Sequence, residues 1–294
     1  MFCDLHMHST ASDGTDAPSA LGALARAAGL SAIALTDHDT TDGLVAAAQG
    51  CAAAGIAFVP GIEISADPIP VKPPDEDAHG SSFGTLHILG LFVRHDDPKL
   101  ALVSKRMEEA RNHRNPAIVA KLNELGVRID YDEVLALGVR EGTAIIGRPH
   151  IAQVMMNKGY VKSIQDAFQR YIGGRGAAYV RRDRLHPREA IEAIHHAGGL
   201  AVLAHPVQLK CAGDDEIEYV FRKLADMGLD AIESRHSDHN PPQVQRFEQF
   251  AARMNLATTG GSDYHGTRKS IALGSQRVPL SVYEKLLALS RESI

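Results

Sequence analysis

Residues 1–13 read MFCDLHMHSTASD. Phe2, Leu5 and Met7 give a short apolar strand, and the two-residue period of a strand turns His6 and His8 to one side of it. Two imidazoles on one face at a strand end make a grip for a metal ion. A pair of ordinary polar residues would look the same in isolation, so the weight comes from elsewhere in the chain. Four later stretches also end an apolar run in His, Asp or Glu: Thr36-Asp37-His38-Asp39, Gly61-Ile62-Glu63, Ala204-His205-Pro206 and Gly261-Ser262-Asp263-Tyr264-His265. Five such strand ends point to one shared site.

Between them the chain alternates. Pro18 to Ala28 reads as a helix rich in Ala and Leu and closed by Gly29, and Leu30 to Leu35 is the strand that delivers His38. Thr41 to Ala54 repeats the helix, Ile56 to Val59 leads towards Glu63, and Thr85 to Val93 is an edge strand carrying His87. Such alternation predicts an α/β fold, a parallel sheet with helices outside. Asp67 to Ser82, with four prolines, reads as a surface loop. After His87 the alternation stops, and Pro98–Leu125, Tyr131–Leu137, Pro149–Lys158 and Ser163–Ile172 read as helices. The expected organisation is a barrel made of residues 1–96 and 177–294, with a helical insertion, 97–176. Helix and strand then alternate again from Pro187 to Gly260, and a last helix, Ser281 to Arg291, is expected across the barrel's outside.

With 294 residues, 44% of them hydrophobic, the chain is long enough to bury a full core. Its net charge of -5 argues against a broad basic face for DNA, so any polyanion must be handled locally. No apolar run approaches the roughly twenty residues of a bilayer span, and no membrane role is expected. Cys3, Cys51 and Cys211 fit no paired spacing, and the first residues lack the basic and apolar regions of an export signal, which predicts a cytoplasmic protein.

Polar groups in parallel α/β barrels gather at the carboxyl ends of the strands, where the loops face one cavity. Asp13 in the first loop and His87 complete a set of nine candidate ligands: His6, His8, Asp13, His38, Glu63, His87, His205, Asp263 and His265. Nine are too many for one tetrahedral or octahedral ion. With a bridging carboxylate they suit two or three divalent ions.

In this order the motifs His6-x-His8, Thr36-Asp37-His38-Asp39, Glu63, His87, Ala204-His205-Pro206 and Gly261-Ser262-Asp263-x-His265 resemble those of the PHP family, named for polymerase and histidinol-phosphatase domains and placed among the amidohydrolase-like barrels. The resemblance covers the barrel on both sides of the insertion. It implies a distorted (β/α)7 barrel and a metal-dependent phosphatase or phosphoesterase with a trinuclear site of manganese, iron or zinc. His6, His8, Glu63 and Asp263 would hold the first ion, Glu63, His87 and His205 the second, and Asp13, His38 and His265 the third. Many relatives have histidine where this chain has Asp13. A carboxylate is a harder ligand and favours manganese over zinc there. Three divalent ions carry about +6 against about -3 from Asp13, Glu63 and Asp263, so the pocket would be cationic in an acidic protein and suited to a phosphoester.

Gly147-Arg148-Pro149-His150 opens a helix inside the insertion, with free amide hydrogens for an anion, and makes Arg148 and His150 substrate-binding candidates for a second phosphate. Arg235 and His236, just after the Ile232 strand, are the catalytic candidates and further substrate-binding candidates for a phosphate or the leaving group. His95, His113, His186, His195 and His196 read as solvent-facing, and Arg181, Arg182 and Arg184 as a solvated basic run at the insertion's end. A barrel with this insertion resembles the subgroup that removes the 3'-phosphate of nucleoside 3',5'-bisphosphates, such as 3'-phosphoadenosine 5'-phosphate, and in close relatives trims short RNA from the 5' end. Nucleotide hydrolysis is the leading expectation. The short-RNA exonuclease, histidinol-phosphate hydrolysis and a non-catalytic metal-binding regulatory module are the alternatives. Aromatic content of 5% and no Trp offer few stacking platforms for a long single strand.

Overall fold

The computed structural model describes residues 1–71, 84–143 and 145–292, so the stretch 72–82 of the expected proline-rich loop lies outside the described residues. Strands β1 (Phe2–Asp4), β2 (Leu30–Leu35), β3 (Ala57–Ala66), β4 (Leu86–Leu91), β5 (Leu200–Leu203), β6 (Ala231–Arg235), β7 (Ala257–Gly260) and β8 (Val278–Pro279) form one sheet in the order β7-β6-β5-β4-β3-β2-β1-β8. Around it lie α1 (Leu21–Ala27), α2 (Leu44–Ala54), α3 (Pro98–Glu124), α4 (Tyr131–Glu141), α5 (Arg148–Asn157), α6 (Ile164–Ala167), α7 (Pro187–His196), α8 (Asp214–Ala225), α9 (Pro241–Arg253) and α10 (Leu280–Glu292). Past β1 the chain runs on beside the end of β7. The Leu5 amide donates to the Gly260 carbonyl at 3.1 Å, that of Asp263 to His6 at 2.9 Å and that of His8 to Tyr264 at 2.8 Å, and the sheet curls into a nearly closed barrel. β8 is one strand more than the seven expected, a two-residue strand antiparallel to β1.

The sheet is not parallel throughout. β4 is antiparallel to both β3 and β5, and it sits in the middle of the sheet order instead of at an edge. A parallel return needs a crossover of a dozen or more residues, usually a helix, and none lies between β3 and β4 among the described residues. β4 accordingly runs back against β3. This reversal is what brings His87 to the site, because the start of β4 lies at the same end of the barrel as the finish of β3, with Ser65 opposite His87.

Apolar residues facing out from the strands, such as Ile33, Ile62, Ile88 and Ile232, pack under α1, α2, α7, α8 and α9. Cys3, Leu5, Ala32, Val59, Leu89, Leu91 and Val202 form a separate interior cluster. Val282, Tyr283, Leu286 and Leu289 line one face of α10 and pack into that cluster, with Leu286 fully buried. α10 thus closes the barrel end opposite the site, a correction to the expectation that it lies along the outside. The long helix α3 serves two cores. Leu100, Val103 and Met107 join the outer layer of the barrel, whereas Ile118, Val119 and Leu122 pack with Val134, Leu137, Ile151 and Met155 of α4 and α5 in a cluster of their own. No helix among the described residues is long and apolar enough to cross a membrane.

Candidate active site

Glu63, buried at the end half of β3, is the centre of the group. Its Oε2 lies 3.3 Å from His6 Nε2, 3.1 Å from His8 Nε2 and 3.1 Å from His38 Nδ1. Its Oε1 lies 2.7 Å from His87 Nδ1 and 2.9 Å from His205 Nε2. One carboxylate thus divides five imidazoles into two sets. Asp263 Oδ1 joins the first set, 3.2 Å from His8 Nε2 and 3.5 Å from His6 Nε2. A third set forms where Asp13 Oδ1 lies 3.3 Å from His265 Nε2, with His8 and His38 close by.

These side chains are held by their own strand ends and by buried partners behind them. His6 Nδ1 faces the Glu233 carboxylate at 3.0 Å, which leaves Nε2 for the basin, and Glu233 also accepts the His205 amide at 2.7 Å. Asp4 accepts amide hydrogens from Ser262 and Gly274, both at 2.8 Å, and ties β1 to the Asp263 loop. Gly261 allows the close approach of that loop, since a Cβ there would fall 2.4 Å from the His6 backbone nitrogen. Asp37 accepts from the hydroxyls of Ser9 and Ser12, both at 2.6 Å, and fixes the first loop. Asp39, His205 and Asp263 adopt φ of 56°, 28° and 55°. Non-glycine residues there cost about 1–3 kcal/mol each and persist where the surroundings over-determine them.

The donor set fits divalent cations. His6 Nε2 and His8 Nε2 lie 3.3 Å apart, as do His87 Nδ1 and His205 Nε2, and each pair also faces a Glu63 oxygen. Acceptors crowded on acceptors need a cation between them. Burial pushes the His38 imidazole down to about 3 and the His205 imidazole down to about 4, so both rings are neutral at neutral pH with a lone pair to give. Burial alone would raise the Glu63 carboxyl, yet His38, His87 and His6 hold it well below the usual range.

Beside this basin opens a cavity of about 230 Å³. Asp13, His38, Asp39 and His87 wall one side, and Arg111, Arg114, Arg148, Arg182 and Arg184 reach it from the other, with Ile145, Pro149 and Phe168 between. Asp39 Oδ2 holds two of these arginines, Arg111 and, at 3.3 Å, Arg182. Arg148 donates to the Ile172 carbonyl at 3.0 Å and lies 5.2 Å over the Phe168 ring. Burial, then the neighbouring Arg184 and Arg182, push its guanidinium down to about 10. Arg114 is pushed well below its ordinary value by burial and by the other four arginines.

The nine ligand candidates, Arg148 and His236 are thus brought to one place, and Arg235 and His150 are not. Arg235 points away and pairs with Glu248 of α9 at 3.3 Å. His150 is buried beneath the start of α5, where its Nδ1 accepts the Gly147 amide at 3.0 Å as a helix cap, and it does not line the cavity. His236 is buried, with Nε2 3.4 Å from Asp263 Oδ2. Arg182 is buried at 7% exposure, a correction to its reading as solvated, whereas Arg181 is exposed. His95, His113, His186, His195 and His196 are exposed, and the last two pair with Asp230 and Asp97. Sequence reasoning did not single out Glu233, Arg111, Arg114, Asp39 or Lys269. Arg111 and Arg114 had a signal, since they continue the Leu100, Val103, Met107 stripe of α3 towards Ile118, so that cations occupy core positions of a helix.

Residues 4–235 match the PHP domain family. A phosphoribosyl 1,2-cyclic phosphate 1,2-diphosphodiesterase from Eggerthella lenta is 34% identical, over 95% of this chain and 100% of its own. A 5'-3' exoribonuclease from Haemophilus influenzae is 32% identical over 92% of each chain, and a 3',5'-nucleoside bisphosphate phosphatase from Chromobacterium violaceum is 32% identical over 89% of this chain and 86% of its own. Among solved structures, a metal-dependent phosphoesterase from Bifidobacterium adolescentis superposes with a TM-score of 0.82 at 32% identity, covering 97% of this chain and 95% of the other.

Proposed function

This chain belongs to the PHP domain family of metal-dependent phosphoesterases, and from that premise we propose that it hydrolyses the 3'-phosphate of nucleoside 3',5'-bisphosphates. His6, His8, Glu63 and Asp263 would hold one divalent ion, Glu63, His87 and His205 a second, and Asp13, His38 and His265 a third, with Glu63 shared between the first two. Bound there, the ions supply Lewis acidity towards the phosphoryl oxygens and lower the pKa of the attacking water. The Asp13 carboxylate favours manganese in the third position. Glu233 keeps the His6 ring aimed at the basin, and Asp39 keeps Arg111 and Arg182 aimed at the cavity.

The observation that carries the substrate reading is the arginine cavity. Five guanidinium groups face one space that opens on the basin, and Asp39 pairs with two of them, Arg111 and Arg182. Such a space takes a phosphate that is not the one hydrolysed, held by charge-assisted and bidentate hydrogen bonds. The helices of residues 97–176 close over it, and the two sites together fit a ligand with two phosphates. The three unpaired cysteines support a reducing, cytoplasmic setting.

The direct test is a panel assay of manganese-loaded protein. It compares a nucleoside 3',5'-bisphosphate, the two matching monophosphates, a 5'-phosphorylated short oligoribonucleotide and a 5-phosphoribosyl 1,2-cyclic phosphate. The expected outcome is the highest kcat/KM on the bisphosphate, with release of the 3'-phosphate. A preference for the oligonucleotide or for the cyclic ester would replace this substrate and keep the two-anion geometry. Equal rates on bisphosphate and 3'-monophosphate would remove the role of the arginine cavity.

A further inference from the structure

The two oxygens of Asp263 face different surroundings. Oδ1 looks into the basin, 3.2 Å from His8 Nε2 and 3.5 Å from both His6 Nε2 and His265 Nδ1. Oδ2 looks away from it, 2.5 Å from Lys269 Nζ and 3.4 Å from His236 Nε2. His236 Nδ1 accepts the Asp238 amide at 3.0 Å, so the proton of its neutral ring sits on Nε2, towards Oδ2. Two donors thus bracket one oxygen of a residue whose backbone is already in a strained conformation, with φ of 55°.

We propose that Lys269, assisted by His236, holds Asp263 as a one-oxygen donor to the cation of the His6, His8 and Glu63 group, and so acts as a positioning and charge-setting residue. The inference rests on the metal-dependent phosphoesterase reading above. A carboxylate with both oxygens free can swing to grip a cation with both. An ammonium on Oδ2 removes that option and draws charge away from Oδ1. It also offsets one of the three negative charges that Asp13, Glu63 and Asp263 present, so the site binds its cations less tightly but leaves more of their charge for the phosphoryl group. Lys269 does not line the arginine cavity, which separates it from the groups that face the second phosphate.

The test uses Lys269→Met, which keeps the length of the stem and removes the charge, and Lys269→Arg, which keeps the charge. Manganese affinity of the metal-free protein is read by calorimetry, and kcat and KM are measured on a hydrolysed phosphoester. In Lys269→Met, manganese is expected to bind about three- to tenfold more tightly, the effect of one unit charge a few ångströms away in a partly screened site. kcat is expected to fall about ten- to a hundredfold, as when an outer partner of a metal ligand is lost, with KM unchanged. Lys269→Arg should recover most of both. Weaker or unchanged manganese binding in Lys269→Met overturns the proposal, and so does a raised KM with kcat intact, which would put the lysine on the substrate. If wild type turns over no phosphoester while Lys269→Met still binds manganese more tightly, the phosphoesterase reading fails and the charge-setting role stands. Turnover by wild type with equal manganese affinity in both proteins does the reverse.

Discussion

The histidine basin and the arginine cavity share a wall, Asp13, His38 and His87, and are otherwise built in opposite ways. The basin draws its ligands from strand ends, and a buried carboxylate stands behind its first imidazole, Glu233 behind His6. The cavity draws its arginines from α3, the start of α5 and the 181–184 segment, and like charges crowd there around one Asp39. The basin is a set of acceptors suited to cations. The cavity is a set of donors suited to an anion. Removing a part from one side should therefore fail differently from removing a part on the other.

The largest effect is expected in the basin. His8→Ala or Asp263→Ala takes away a side chain shared by the crowded first set, and turnover should fall by more than about a hundredfold, beyond what the loss of an outer partner costs. Metal content should fall with it, while circular dichroism and melting stay close to wild type because the barrel core is apolar and lies below. Either variant retaining wild-type activity and a full complement of metal would break the basin half of the comparison.

The two halves also differ in how far they could be read from the sequence, for a physical reason. Closure of a barrel forces strand ends together, so a histidine or carboxylate that ends an apolar run announces its place without any knowledge of packing. Glu233 obeys the same rule at the end of the Ala231-Ile232 run, but Arg235 and His236 beside it are more conspicuous. Arg235, two residues on, should share its face, and the register irregularity between Glu233 and Arg235 sends it out to Glu248 instead. Such an irregularity leaves no mark in composition or period. The reversal of β4 was legible in principle, because the proline-rich stretch from Asp67 to Ser82 reads as a loop and not as a crossover helix, although alternation elsewhere argues for a parallel strand. The arginines converge only through the packing of segments that are distant in sequence. Arg148 stands at the first turn of a helix beside Pro149, and Arg111 and Arg114 continue the apolar stripe of α3, whereas Arg182 and Arg184 carry no such mark.

A middle-sized effect is expected at that residue. Arg148→Ala should cost about 1.5–3 kcal/mol of transition-state binding, roughly ten- to a hundredfold in kcat/KM, on a 3',5'-bisphosphate. The matching 3'-monophosphate should lose almost nothing. Equal losses on both would place Arg148 on the reacting phosphate or in the support of Phe168, and the cavity would then be part of the basin.

The smallest expected effect concerns stability, and it asks whether the crowding of like charges in the cavity strains the fold. Arg114 makes its hydrogen bonds to the Asn115 side chain and is otherwise surrounded by burial and like charge, which together hold its guanidinium well below its ordinary value. A base whose pKa is lower in the folded chain than in the unfolded one carries fewer protons when folded, so stability rises as the pH enters the interval between the two values. For Arg148 that interval begins at about 10, and at neutral pH the full penalty of both charged groups is in force. Replacing a buried charge by an apolar side chain of similar volume is often neutral or stabilising by about 1–4 kcal/mol, and Asn115 left without its partner costs about 1 kcal/mol of that. Arg114→Met in the metal-free protein should therefore melt at the wild-type temperature or a few degrees above it, about 2–4 °C for each kcal/mol gained. Inorganic phosphate should raise the wild-type Tm and raise that of the variant less, because one of the donors that bind it is gone. A variant that melts well below wild type and keeps the whole phosphate-induced rise would mean that Arg114 supports the fold and not the anion, and the reading of the cavity as strained by its like charges would fail.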